Sequence, residues 1–225
     1  MDLIVQYILI IAAVLLPSVA SAKVNSAYNT YARINNSEKM TGREAARRIL
    51  DKNGLHNVSI SAISGNLTDH YDPSKKHINL SESIYSDTSI SSIAVAAHEC
   101  GHAIQDKESY SFLRFRSALV PVVNFTSRIA TIFLAIGIIA QLVNLFTIGI
   151  VLLSVGLLFQ FITLPVEFNA SNRAKKQLKE LGLVNKKDEE GIDKVLHAAA
   201  LTYVASFLST ALQIFRLVLI SRNRN

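Results

Sequence analysis

The stretch Ala96-Ala97-His98-Glu99-Cys100-Gly101-His102-Ala103 sets two imidazoles four residues apart, with a carboxylate beside the first. On a helix of 3.6 residues per turn, His98 and His102 share one face, about one turn apart. Two imidazoles at that spacing can grip one tetrahedral zinc ion. Glu99 lies on the same side and can take a proton from water without itself being a ligand. The pattern H-E-x-x-H thus packs two metal ligands and a general base into one helical turn, and the chemistry it suits is hydrolysis. The flanks Ala96, Ala97, Cys100, Gly101 and Ala103 are small and uncharged, as a helix packed deep in a domain requires. Titratable side chains so placed are costly without a partner, whereas a solvent-facing helix would not need such flanks. Cys100 stands nearly opposite His98 and reads as core filler. It is the chain's one cysteine, so there is no internal disulfide, which suits a reducing compartment.

A catalytic zinc site needs a third protein ligand and a free fourth position. His56, His70, His77 and His197 are scattered, and Glu180, Glu189 and Glu190 lie among lysines as solvated surface. Glu167, in LPVEFNASNRA, is favoured. It directly follows a membrane hairpin, and a hairpin returns the chain to the side it left.

The spans come from composition. Half of the 225 residues are hydrophobic, and Ile129 to Phe161 contains no charge, which is longer than one bilayer crossing. Gln141 and Asn144 mark a turn between two transmembrane helices, roughly 119–141 and 144–164. Arg128 requires that the first helix start late or that its side chain snorkel. The N-terminal run LIVQYILIIAAVLLPSVASA is a third span. Ala20-Ser21-Ala22 resembles a cleavage site, but Met-Asp is not the positive start of a signal peptide, so an uncleaved anchor is expected. Ala198 to Ile220 is the fourth candidate, interrupted by Gln213 and Arg216, and able to lie partly in the interface. Segment 23–118 carries twelve Lys and Arg and segment 165–194 carries seven, against none in the 141–144 turn. The positive-inside rule then puts both polar segments in the cytoplasm, although Arg222 and Arg224 fit poorly with an outside C-terminus. The net charge of +6 suits an anionic inner leaflet. No basic motif interleaved with aromatics argues for nucleic acid.

Between the spans, TGREAARRILDKNG reads as a complete helix, capped by Thr41 with Glu44 and stopped by Gly54. Val58 to Ile63 alternates like a half-buried strand, and Asp72-Pro73-Ser74-Lys75 is a turn between two extended segments. Lys76 to Leu80 would be an exposed edge on which a peptide could align by strand addition. Ser86, Asp87 and Thr88 offer caps for the metal helix, which runs from about Ser89 to Asp106. Residues 167–182 read as a basic helix starting at Pro165, Asn185 to Gly191 as a polar loop, and a last helix begins near Ile192. The expected fold is a mainly α integral membrane protein. It has a small α+β zincin-like domain and about four transmembrane or membrane-associated helices. Its parts are an anchor 1–22, a catalytic part 23–118, a transmembrane hairpin 119–164, a helix with the third ligand 165–194, and a membrane helix 195–225.

AAHECGHAIQ, LTDHYDP, LPVEFNASNRA and HAAALTYVAS together resemble the bacterial YugP-like membrane zinc metallopeptidases, over nearly the whole chain and in the same order. A more distant similarity is to HtpX-type membrane proteases, which share the plan of HExxH, two spans and a Glu ligand. The resemblance implies His98, His102 and Glu167 as ligands of one Zn2+ per chain and Glu99 as catalytic acid/base. It also implies a bacterial plasma membrane. Two positions depart from the pattern. Asn169 and Ser171 stand where related chains more often carry an aspartate that orients a zinc histidine. An amide or hydroxyl can accept from an imidazole N–H but supplies no charge.

The expected reaction is peptide-bond hydrolysis by a water activated by zinc and Glu99, with Glu99 handing the proton to the leaving amine. A second donor to the oxyanion would help, and Tyr203 and His70 are candidates. Their plainer readings are a membrane-interface tyrosine and a turn histidine bonded to Asp69 or Asp72. Substrates would be membrane proteins or unfolded chains near the bilayer. The alternative function is a catalytically silent zinc-binding adaptor, against which an intact Glu99 speaks. A channel subunit is disfavoured, since Gln141, Asn144 and Arg128 are too few and too near the span ends.

Overall fold

The computed structural model describes residues 3–222. Residues 1–2 of the expected anchor and 223–225 of the expected last helix, Arg224 among them, lie outside the described residues. The elements are α1 (Leu3–Tyr31), α2 (Gly42–Lys52), β1 (Ser59–Ile63), β2 (His70–Asp72), β3 (His77–Ser81), α3 (Glu82–Ser86), α4 (Ile90–Lys107), α5 (Ser111–Ile139), α6 (Val143–Glu180) and α7 (Lys186–Arg222). The chain divides into two compact units. A polar unit comprises residues 22–113 and 166–200, and a membrane unit comprises residues 1–21, 114–165 and 201–225.

In the polar unit, local signals become elements as expected. Thr41 Oγ1 accepts from Glu44 N at 3.2 Å, and Glu44 Oε2 accepts from Thr41 N at 2.9 Å, which closes the capping box of α2. The bonds that Thr41 N and Thr41 Oγ1 donate to it hold the Glu44 carboxyl below the usual range. The helix buries Ala45, Ala46, Ile49 and Leu50 completely, in one core with Ala94, Ala97 and Cys100 of α4. The cap of α4 differs from the expected Ser86, Asp87 or Thr88: it is Ser89, whose hydroxyl accepts from Ser92 N at 3.1 Å. Asp72 Oδ1 accepts from Ser74 N and Lys75 N and sets the turn from β2 into β3.

The sheet corrects one expectation. Its order is β1-β3-β2, with β3 parallel to β1 and antiparallel to β2. The Lys76–Leu80 segment is therefore central rather than an exposed edge, and Ile78 and Leu80 are fully buried. Alternation along a strand reports which residues face the core, but not what pairs on either side. The edges belong to β1 and β2. The sheet is tied to the end of α4 through Asp106 Oδ2, which accepts from Tyr71 Oη at 2.6 Å and Lys76 Nζ at 2.5 Å.

Among the described residues, four helices, α1, α5, α6 and α7, are long and apolar enough to cross a membrane. The chain is thus a mainly α membrane protein with a small α+β part. Within the membrane unit, Gln141 (φ 55°) turns the chain between α5 and α6. The two helices meet through glycines. A Cβ on Gly137 would fall 2.7 Å from Phe146 N, and one on Gly149 2.8 Å from Leu134 Cγ. Ser209 Oγ donates to Ala13 O at 2.6 Å, joining α7 to α1.

Three boundaries differ from the expected ones. α5 begins at Ser111, so it does not start late, and Arg128 is exposed within it. Pro165 does not open a new helix, because α6 runs through it. A proline removes one rung of the ladder, and the turns on both sides hold the helix. Finally, α7 begins at Lys186, and the loop expected over 185–191 is mostly its first turns. Asn185 Oδ1 accepts from Lys187 N and Asp188 N, while Asp188 Oδ2 accepts from Asn185 N. This reciprocal cap was written in the sequence as Asn-x-x-Asp.

Candidate metal centre

Two helices of the polar unit build the centre. α4 carries His98, Glu99 and His102 on one face, and α6 brings Glu167 to them. The approach depends on Gly101, since a Cβ there would lie 2.5 Å from Ala170 O of α6. No side chain fits in that gap, so glycine is what lets α4 and α6 touch backbone to backbone.

His98 Nε2 lies 3.3 Å and His102 Nε2 3.5 Å from Glu167 Oε2. One donor atom from each of the three residues falls within 4.8 Å of the others. The two rings stand nearly perpendicular, at 87°, so both Nε2 atoms can face one point. Zinc–nitrogen and zinc–oxygen bonds of about 2.0–2.1 Å in a tetrahedron put neighbouring donors about 3.3–3.4 Å apart. The two imidazole–carboxylate spacings match that edge. Two imidazoles and one carboxylate also suit zinc chemically and leave a fourth position for water or substrate. The residues present therefore fit the ion.

Glu167 is only 2% exposed and Glu99 only 7%. Burial pushes the Glu99 carboxyl up, the two imidazoles pull it down, and the charges of Glu167 and Asp69 push it up again; the balance is upward. A carboxyl with a raised pKa is a better proton acceptor once ionised. Burial lowers the His102 imidazole, but the Glu167 carboxylate outweighs it, and the net direction is upward. Cys100 is fully buried against Ala46 O, and burial drives its thiol far up; it fills core rather than binding metal.

The remaining expected residues separate. Ser171 Oγ lies 3.2 Å from His98 Nδ1, so the hydroxyl meets an imidazole. Asn169 differs, because its Oδ1 meets Gln105 Nε2 at 3.0 Å and Arg173 Nε at 2.7 Å. The partner of His102 Nδ1 is Gln105 Oε1, at 3.0 Å. His70 is exposed on β2, with Nδ1 2.8 Å from Thr68 O and Nε2 3.1 Å from Asn79 Nδ2, rather than on Asp69 or Asp72. Tyr203 belongs to α7 in the membrane unit and is 37% exposed. Sequence reasoning missed Gln105 and Asp69. Gln105 had a signal, since three residues after His102 is the same helical face. Asp69 had none: it reaches the charges around Glu99 from a loop, with Ser81 N donating to it at 2.7 Å.

Comparison with known proteins agrees with this geometry. Residues 6–222 match the model of a family described as "Putative neutral zinc metallopeptidase". The chain belongs to this family. A relative from Bacillus subtilis (strain 168), "Putative membrane protease YugP", is 47% identical over 215 residues, which is 96% of each chain. No solved structure matches the chain. Membership in the zinc metallopeptidase family fits both the donor set and the four apolar helices.

Proposed function

We propose that the protein is a membrane-bound zinc endopeptidase whose site faces the cytoplasm of a bacterial plasma membrane. The supporting observation is the convergence of His98 Nε2, His102 Nε2 and a Glu167 oxygen beside the buried carboxyl of Glu99. His98, His102 and Glu167 would hold one zinc ion per chain. When bound, zinc supplies Lewis acidity that activates water and polarises a carbonyl. Glu99 accepts the proton of the attacking water and delivers it to the leaving amine nitrogen. Glu167, ionised between two imidazoles, balances charge without taking part in proton transfer. Substrates are peptide segments of membrane proteins or unfolded chains at the bilayer, with the apolar runs of α1, α5, α6 and α7 embedded in it.

The second reading, a silent zinc adaptor, has less support, because a structural site has no use for a buried Glu99. The test compares wild type, Glu99→Gln and Glu167→Ala in detergent, by zinc content and by cleavage of casein and of the chain itself. The expected outcome is one zinc per wild-type chain, zinc kept but cleavage lost in Glu99→Gln, and both lost in Glu167→Ala. Zinc bound with equal, negligible cleavage in wild type and Glu99→Gln would favour the adaptor. Wild type without zinc would sink the site.

A further inference from the structure

We propose that Arg173, Asn169 and Gln105 form a directional chain of hydrogen bonds that decides which nitrogen of His102 carries the proton, and so presents Nε2 to the metal. They are positioning residues, and the inference rests on the zinc-site reading above.

The direction follows from groups that have no choice of role. An arginine Nε–H can only donate, and a backbone carbonyl can only accept. Arg173 Nε lies 2.7 Å from the side chain of Asn169, so the atom facing it must be the oxygen Oδ1. Gln105 has one side-chain end 2.8 Å from Val166 O and 3.0 Å from Asn169 Oδ1. Both are acceptors there, so that end must be the NH2 group. Gln105 Oε1 is then left facing His102 Nδ1 at 3.0 Å, and Nδ1 must carry the hydrogen. The lone pair of the neutral ring then falls on Nε2, where a cation shared with Glu167 Oε2, 3.5 Å away, would take the place of a proton.

Gln105 is fully buried. Turning its amide over would face its oxygen against two acceptors in a place closed to solvent. The outer end is anchored as well: Arg173 is paired with Glu108 at 2.7 Å, and Glu108 is half exposed. The chain of contacts thus runs from a surface ion pair to a metal ligand. His98 has no equivalent. Its Nδ1 meets the Ser171 hydroxyl, which can donate or accept and imposes neither form. The device also accounts for the neutral Asn169. An aspartate would satisfy the same two donors, but the orientation of Gln105 already follows from Val166 O and Arg173, without a charge next to the site.

Two measurements on the full-length protein in detergent test this. The first is long-range proton–nitrogen NMR of 15N-histidine-labelled apo protein in alkaline buffer, with His102 assigned by a His102→Asn variant. His102 should show the Nδ1–H form in wild type and lose that preference in Gln105→Leu. The second is zinc Kd by competition with a chromophoric chelator, beside the thermal unfolding of each apo variant. Gln105→Leu and Asn169→Leu should weaken zinc by about tenfold or more, Arg173→Met by less, and Asn169→Asp should restore wild-type affinity. Arg173→Met lies at the partly exposed end and guards against misfolding of the buried variants. An Nε2–H form in wild type would overturn the inference, as would Asn169→Leu and Arg173→Met that fold and bind zinc like wild type. Failure of wild type to bind zinc would instead remove the zinc reading, while the NMR result would still decide the proton's position.

Discussion

The two units use apolar side chains in opposite ways. In the polar unit the long aliphatic residues turn inward: Ile49, Leu50, Ile78 and Leu80 are wholly buried, and water drives them there. In the membrane unit Ile132, Val151 and Phe161 are each more than half exposed, and the buried set is small, with Phe146, Ile150 and Ile214 at its centre. A lipid tail is as apolar as leucine, so the outward faces lose nothing and packing must come from close fit instead. Yet both units bring helices together through glycine, at Gly101 against Ala170 in one and at Gly137 against Phe146 in the other. Apolar exposure therefore means different things in the two units, whereas a glycine between helices means the same in both.

Matched truncations should break or sharpen this contrast most. Ile49→Ala, in the polar core, should lower stability by about 2–5 kcal/mol. Ile132→Ala, 54% exposed in the membrane unit, should change it by less than about 0.5 kcal/mol. Thermal unfolding in detergent measures both, and equal losses would show that the apolar surface of α5 is not a lipid-facing one.

Gly101→Ala should come next. Its Cβ would lie 2.5 Å from a backbone oxygen, and backbone cannot swing aside as a flexible side chain can. A loss of about 1–3 kcal/mol is expected. Zinc affinity should fall with it, because α6 must retreat and carry Glu167 away. Stability lost with zinc affinity intact would show that the helices can separate without moving the ligand.

Gly156→Ala should cost no stability at all. A Cβ there meets nothing within 4 Å, so stability should hold or rise by up to about 1 kcal/mol. A clear loss would reveal a contact at that face of α6.

Much of the site was legible because its signals are local. The His-Glu-x-x-His spacing, the small residues around it, the cap at Thr41 and the apolar runs all act within one or two helical turns. Glu167 was legible by elimination and chain direction. The boundaries at Pro165 and Lys186 were not, because a local stop signal competes with the continuity of a long helix. The place of β3 in the sheet was not, because strand order is set by partners far along the chain. Gln105 stood in plain view on the metal helix, but its role depends on groups sixty and more residues away.

What the sequence determined by itself was the chemistry available: two imidazoles and a carboxylate on one helical face, and helices apolar enough to remain in lipid. Those are properties of residue type and period, and they need no partner. Tertiary structure alone decided the glycine contact that brings Glu167 within 3.5 Å of both imidazoles, and the orientation of each hydrogen bond behind His102. A hydrogen bond has direction only when both of its ends are in place, and folding is what supplies the second end.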